Sequence, residues 1–132
     1  MAAGKYDFTI EQGSSFKLSL IYKDSSEIPI NITNWCARLI WTTSKGIVQV
    51  FSTTNVDYTL YKFTITGAEG KLLLQFPASV TNNFLFDSAR YDLELESPSA
   101  MYSGGGKEII RLIFGGVKII RRNSDTLLSC QP

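Results

Sequence analysis

Apolar and polar residues alternate with a period of two along most of this chain, and no stretch sustains the 3.6-residue period of an amphipathic helix. The clearest example is residues 89–96, where Tyr91, Leu93 and Leu95 alternate with charged residues. Successive side chains of a strand point to opposite faces of a sheet, so the pattern predicts strands with one buried and one exposed face. The chain is therefore expected to be all-β.

Turn-forming residues separate these stretches, as at 23–27, 44–46 and 67–70. Their spacing predicts about seven to nine short strands, which is typical of a sandwich. We expect an antiparallel β-sandwich with an immunoglobulin-like arrangement, and a jelly roll is the alternative. The length of 132 residues suits one domain. Residues 1–122 are assigned to it and residues 123–132 to a C-terminal tail.

Four local features carry further expectations. Residues 77–87 are the one candidate for a helical turn, with Ser79 as its cap and two phenylalanines, at 84 and 86, facing inward. Residues 97–107 are expected to form a long loop, and Gly115-Gly116 to permit a bulge or bend in the last strand. Arg38 interrupts an apolar strand and must reach solvent or a carboxylate, because an unpaired buried charge is costly.

Charge and hydropathy argue against two classes of partner. Thirteen basic and twelve acidic residues give a net charge of +1, with no basic stripe suited to nucleic acid. The densest basic cluster, Arg121-Arg122 with Lys118, is interpreted as the solvated end of a strand. No apolar run approaches the roughly 20 residues that span a bilayer. The first residues lack the apolar core of a secretory signal, so we expect synthesis and assembly in a host cytoplasm.

Catalytic and metal-binding patterns are scarce. The chain has no histidine, which removes the common nucleophile–base dyads and zinc sites. Cys36 and Cys130 are expected to be free thiols, the first buried and the second in the tail. The acidic row Asp92, Glu94 and Glu96 has a spacing that a glycosidase or a calcium site uses, but a solvated strand face explains it better. We predict no enzymatic activity, no cofactor and no metal.

Aromatic side chains offer a second possible role, because exposed rings can stack on sugars. Trp41 is expected in the core, and Tyr102, in the glycine-rich part of the 97–107 loop, is the ring most expected to touch a partner. The remaining candidates for such a platform are Trp35, Tyr58 and Tyr61.

Several segments share a pattern of turns and strands with one family. They are residues 6–16 (YDFTIEQGSSF), 22–25, 29–35, 37–40, 65–74, 89–95 and 111–117. In this pattern the chain resembles small virion proteins of tailed bacteriophages, and in particular the immunoglobulin-like N-terminal domain of upper-baseplate proteins. It departs from the family at Asn34, where a glycine is usual, and in the longer 97–107 loop.

The resemblance implies a non-enzymatic virion protein that assembles in symmetric copies, as a trimer or a hexamer-related ring, in the tail, baseplate or neck. A capsid decoration (cement) protein at capsomer junctions is the alternative, and a module that binds host-surface glycans is the second. Loops, termini and sheet edges are the expected contacts with other virion proteins. The named candidates are Lys5, Tyr102, Gly104, Gly105, Lys107, Arg121 and Arg122.

Overall fold

A computed structural model of the chain describes residues 3–54, 60–100 and 106–123. Within these residues the chain is almost entirely β-structure. The strands are β1 (Gly4–Lys5), β2 (Phe8–Glu11), β3 (Phe16–Ile21), β4 (Cys36–Thr43), β5 (Val48–Ser52), β6 (Lys62–Thr66), β7 (Lys71–Phe76), β8 (Ser88–Ala100) and β9 (Lys107–Ile120). A short 3₁₀ helix (Gly67–Glu69) precedes β7, and one helical turn, α1 (Ala78–Thr81), follows it.

The strands form two sheets. The larger sheet has the order β1-β9-β8-β4-β5, with β2 also paired to β9, and the smaller sheet has the order β3-β7-β6. Pairing is antiparallel except where β1 and β2 run parallel to β9, so the larger sheet is mixed. The chain therefore leaves the larger sheet after β2 and enters the smaller one at β3. The predicted all-β sandwich is confirmed.

The core lies between the two sheets and is rich in aromatic rings. Trp41 of β4 is completely buried, and its ring centroid lies 5.9 Å from that of Phe76 on β7 in the opposite sheet. The Phe51 ring of β5 lies 4.9 Å from Phe76 and 4.9 Å from Trp41. In β8, Tyr91, Leu93 and Leu95 face this core, as the alternation predicted. Large rings at offset or edge-on geometry supply both buried area and specific packing.

Two turns match the residues that form them. Gly70 caps the 3₁₀ helix with a φ of 64°, and a Cβ there would lie 2.7 Å from the Ile30 and Tyr22 carbonyl oxygens. Asn34 has a φ of 67°, in the left-handed region that Gly and Asn tolerate best. The asparagine therefore fits this turn as a glycine would.

The structure corrects three local expectations. Ser79 does not cap α1, because Pro77 occupies the cap position and makes no side-chain hydrogen bond there; residues 84 and 86 are buried as predicted. Residues 97–100 continue β8 instead of forming a loop. The buried Ser97 hydroxyl accepts a hydrogen bond from the Glu108 amide at 2.9 Å, which ties the extended strand to β9.

The third correction concerns Gly115-Gly116, where β9 continues to pair with β8 without a bulge. The register shifts elsewhere, because Leu93 pairs with Ile113 and Glu94 with Arg111. Gly115 instead allows a close approach: a Cβ there would overlap the Tyr6 carbonyl oxygen. The glycine is therefore needed for the parallel pairing of the N-terminal strands, which sequence alternation does not reveal.

Candidate assembly surface

The acidic row on β8 is ion-paired along its whole length. Arg38 Nε on β4 lies 2.9 Å from Glu94 Oε1, and its Nη1 lies 3.5 Å from Glu96 Oε1. On the other side, Arg111 Nε on β9 donates to Asp92 Oδ1 at 2.6 Å. The Glu94 hydrogen bond is the main cause that raises the pKa of Arg38. Each carboxylate therefore has a guanidinium partner on a neighbouring strand.

These ion pairs determine how the carboxylates of the acidic row interact. Arg38 and Arg111 neutralise the row through cross-strand contacts. The carboxylates are accordingly engaged as hydrogen-bond acceptors. Among the described residues, no group of three or more His, Cys, Asp or Glu side chains is arranged to hold a metal ion.

Cys36 on β4 lies opposite Glu96, at the end of the acidic row. It is half-buried, not fully buried as predicted. Its thiol donates to Glu96 Oε2 at 3.6 Å. Burial, followed by the charge and hydrogen bond of Glu96, raises the pKa of this thiol. A reactive cysteine needs the opposite, a lowered pKa beside a cation, so Cys36 is poorly suited to nucleophilic chemistry. Cys130 lies outside the described residues.

The predicted contact residues do not converge on one site. Lys5 is exposed on β1, Lys107 is exposed at the start of β9, and Arg121 follows the other end of β9. The 14 residues of β9 separate the last two by roughly 45 Å at the usual strand rise. Tyr102, Gly104 and Gly105 lie outside the described residues, so their predicted role stays a prediction.

Arg122 has a structural contact that the sequence did not indicate. Its amide donates to Gln12 Oε1 at 2.8 Å, and its Nη1 donates to Asn82 Oδ1 at 3.2 Å. Gln12 is buried and its amide nitrogen donates to the Asn82 carbonyl oxygen at 2.8 Å. Arg122 thus connects the end of β9 to the β2–β3 turn and to the residues after α1.

The sugar-stacking candidates that the structure describes do not form an exposed platform. Trp41 is buried as expected, and its Nε1 donates to Gln49 Oε1 at 2.7 Å. Tyr61 is also buried, which removes it from the sugar-stacking candidates. Trp35 is half-buried and packs against the core, whereas Tyr58 and Tyr102 lie outside the described residues.

Two of the exposed apolar residues lie together on β5, at one edge of the larger sheet. Val48 and Val50 expose 61% and 54% of their surface on its outer face. Sequence reasoning found the strand but not its edge position, which depends on sheet order. The sequence feature that could have drawn attention to this strand is the uncharged stretch 47–52 (IVQVFS). We call the side of β5 (Val48–Ser52) that points away from β4 the β5 edge.

The sequence matches no protein-family model and no curated protein. Within residues 3–54, 60–100 and 106–123, no helix is long and apolar enough to cross a membrane. The arguments for function therefore depend on the contacts of the chain itself: a row of paired charges on β8 and an exposed apolar strand at β5.

Proposed function

We propose that this chain is a non-enzymatic structural protein of a tailed-bacteriophage particle, assembled in symmetric copies in the tail, baseplate or neck. The observation that carries the proposal is the uncharged β5 edge, where Val48 and Val50 are exposed and their outward backbone groups have no partner among the described residues. Such an edge is a liability for a solitary protein and a binding surface for an assembled one. The assignment to a phage particle comes from the resemblance of residues 6–121 to virion proteins.

The strand order supports the immunoglobulin-like part of the proposal. Immunoglobulin domains place their third, penultimate and last strands in one sheet, with an added strand after the third in variable-type domains. With β2 counted as the first strand, β4, β8, β9 and β5 take those positions, and β3, β7 and β6 form the other sheet. The jelly-roll alternative expects eight strands in two sheets, which suits the three-stranded smaller sheet less well.

The absence of an enzymatic role is also part of the proposal. It is supported by the lack of histidine, the ion-paired state of Glu94 and Asp92, and the raised pKa of the Cys36 thiol. General acid–base catalysis requires a titrating group held near the substrate with a suitable pKa. Asp92 and Glu94 are instead held as hydrogen-bond acceptors by Arg111 and Arg38.

Electron microscopy of purified particles tests the proposal and separates it from the cement alternative. Threefold or sixfold rings of this chain on the tail axis are expected, and trimers over capsomer junctions would indicate the cement protein instead. A chain that is absent from the particle would contradict both. For the glycan-binding alternative, the fluorescence of half-buried Trp35 should not shift when sugars are titrated, and a shift would favour that alternative.

A further inference from the structure

The β5 edge differs from the other sheet edges in its charge. Natural proteins place charged residues on exposed edge strands to prevent pairing with another chain. In the described part of the chain, the other edge strands follow this rule. They carry Lys5 in β1, Glu11 in β2, Lys17 in β3 and Lys62 in β6. β5 (VQVFS) carries no charge.

The backbone of β5 has groups available for pairing. The Thr43 amide donates to the Ile47 carbonyl and the Thr53 amide to the Ala37 carbonyl, so odd-numbered residues of β5 bond to β4. Antiparallel ladders alternate, and the even-numbered residues Val48, Val50 and Ser52 therefore point their N–H and C=O groups away from β4.

The outward backbone groups of one of these residues, Ser52, already have hydrogen-bond partners. The Ser52 amide donates to the Tyr61 hydroxyl at 3.1 Å, and the same hydroxyl donates to the Ser52 carbonyl oxygen at 3.3 Å. Within the described residues, no such partner faces the outward groups of Val48 and Val50. Two amides and two carbonyls are therefore open on this edge.

We propose that the β5 edge pairs with the β5 edge of a second copy of this chain, antiparallel, with the twofold axis at Gln49. In this register Val48 lies opposite Val50 of the second copy, and Val50 opposite its Val48. Each pair exchanges two backbone hydrogen bonds, so four bonds use all the open groups. The two larger sheets become one continuous sheet.

The side chains favour a second copy as the occupant. The pairing places four valines side by side on the outer face, each pair flanked by a half-buried Ile40 that sits opposite Val50 in β4. Lys45 falls opposite Thr53 of the second copy, so no like charges meet across the axis. An uncharged strand that reads the same in both directions, valine–glutamine–valine, is self-complementary under a twofold.

The contacts also favour this register over the one with the twofold axis at Val50. A twofold axis at Val50 would need the Ser52 groups, which are held by Tyr61. A shift of one residue would place inward-facing side chains beside outward-facing ones, because side chains alternate with period two. The axis at Gln49 leaves the Tyr61 contact intact.

Two short strands bury less than the roughly 1,200 Å² of stable complexes, so we expect a weak dimer in isolation. Many identical copies in an assembly would compensate for that weakness through effective concentration. The inference does not rest on the virion role, since a protein that pairs in solution need not come from a particle.

Cross-linking tests the register directly. In a Cys36→Ser, Cys130→Ser background, Val48→Cys and Val50→Cys proteins are mixed and treated with dibromobimane, which joins thiols a few ångströms apart. The mixture should give at least about fivefold more covalent dimer than either variant alone, because directly opposed residues lie closer than diagonal ones. Stronger cross-linking of Val50→Cys alone, or equal yields in all three samples, would overturn the proposal.

Sedimentation velocity over a concentration series tests the edge with unmodified protein. Val50→Lys should weaken dimerisation at least about tenfold, because it adds the charge that blocks edge pairing. Ile21→Lys is the matched control: Ile21 is 45% exposed on edge strand β3, and its variant should stay within about twofold of the parent. Circular dichroism confirms folding of each variant. Equal weakening by both, or a parent that is monomeric throughout with no cross-link, would refute the pairing.

Discussion

Substituting Gly115 by alanine should push Tyr6 and Asp7, which join β1 to β2, away from β9. A Cβ at this position would overlap the Tyr6 carbonyl oxygen and lie 2.6 Å from Asp7 Oδ1. The nearest obstacles include backbone atoms, which cannot rotate away as a side chain does. The chain between β1 and β2 must therefore move off β9.

The structure gives the size of the effect. Three hydrogen bonds hold this segment: the Tyr6 amide to the Phe114 carbonyl at 2.8 Å, the Gly116 amide to Asp7 Oδ1 at 2.8 Å, and the Tyr91 hydroxyl to the Tyr6 carbonyl. Each contributes about 0.5–1.5 kcal/mol net. Their loss should lower the free energy of unfolding by about 2–3 kcal/mol, or the melting temperature by about 10 °C for a domain of this size.

Urea denaturation followed by circular dichroism measures the change, and Gly116→Ala is the control. A Cβ on Gly116 would meet Asp7 Oδ1 at 3.7 Å and the Ala89 carbonyl at 3.9 Å, which are ordinary contacts. That variant should stay within about 1 kcal/mol of the parent. Hydrogen exchange at the Tyr6 amide should accelerate about 30- to 100-fold in Gly115→Ala only. Equal stability and exchange in the two variants would refute the close-approach argument.

Three further outcomes are expected. A double-mutant cycle with Arg38→Met and Glu94→Gln, measured by urea denaturation, should give a coupling of about 1 kcal/mol, because the pair is only partly exposed; zero coupling would contradict the ion pair. Burial raises the pKa of Tyr91 above its ordinary 10.0, so stability is retained below pH 10 and falls as the pH rises beyond it. Tyr91→Phe should flatten that alkaline loss in urea titrations at several pH values, and an unchanged slope would argue against it. In a Cys130→Ser background, iodoacetamide should alkylate Cys36 more slowly at pH 8 than an unfolded control, because its thiol pKa is raised; equal rates would refute the effect.

The sequence predicted best those features that depend on near neighbours. The alternation in residues 89–96 identified which side chains of β8 face the core, and the turn at residues 67–70 was found directly. Both depend on local periodicity and turn chemistry. The helical turn after Pro77 was located, but its cap was not, since Pro77 already sets an extended backbone there.

Features that depend on distant contacts were not predictable. The continuation of β8 through residue 100 depends on the hydrogen bond between Ser97 and Glu108, residues that separately suggest a loop. Arg38 was expected to reach solvent or a carboxylate, but the sequence did not indicate its partner Glu94, which is 56 positions away. The parallel pairing of β2 with β9 depends on the approach of Tyr6 to Gly115, 109 residues later, which no local pattern records.

The exposed edge of β5 illustrates the same limit for the candidate site. Its uncharged composition is visible in the sequence, but its significance arises only when β5 is placed at the end of the sheet order. The sequence-based candidates were instead chosen from loops and termini. Those described by the structure lie apart on the surface, whereas the β5 edge is one continuous strand.

Quantitative mass spectrometry of purified particles tests the central claim most directly. If the chain is a virion protein as proposed, particles from a source that expresses it can be purified, dissociated and assayed for its peptides relative to a virion protein of known copy number. A copy number that is a multiple of three or six is the predicted result, in keeping with symmetric assembly. Peptides that occur in the infected-cell lysate and are missing from the particles would contradict a virion structural role.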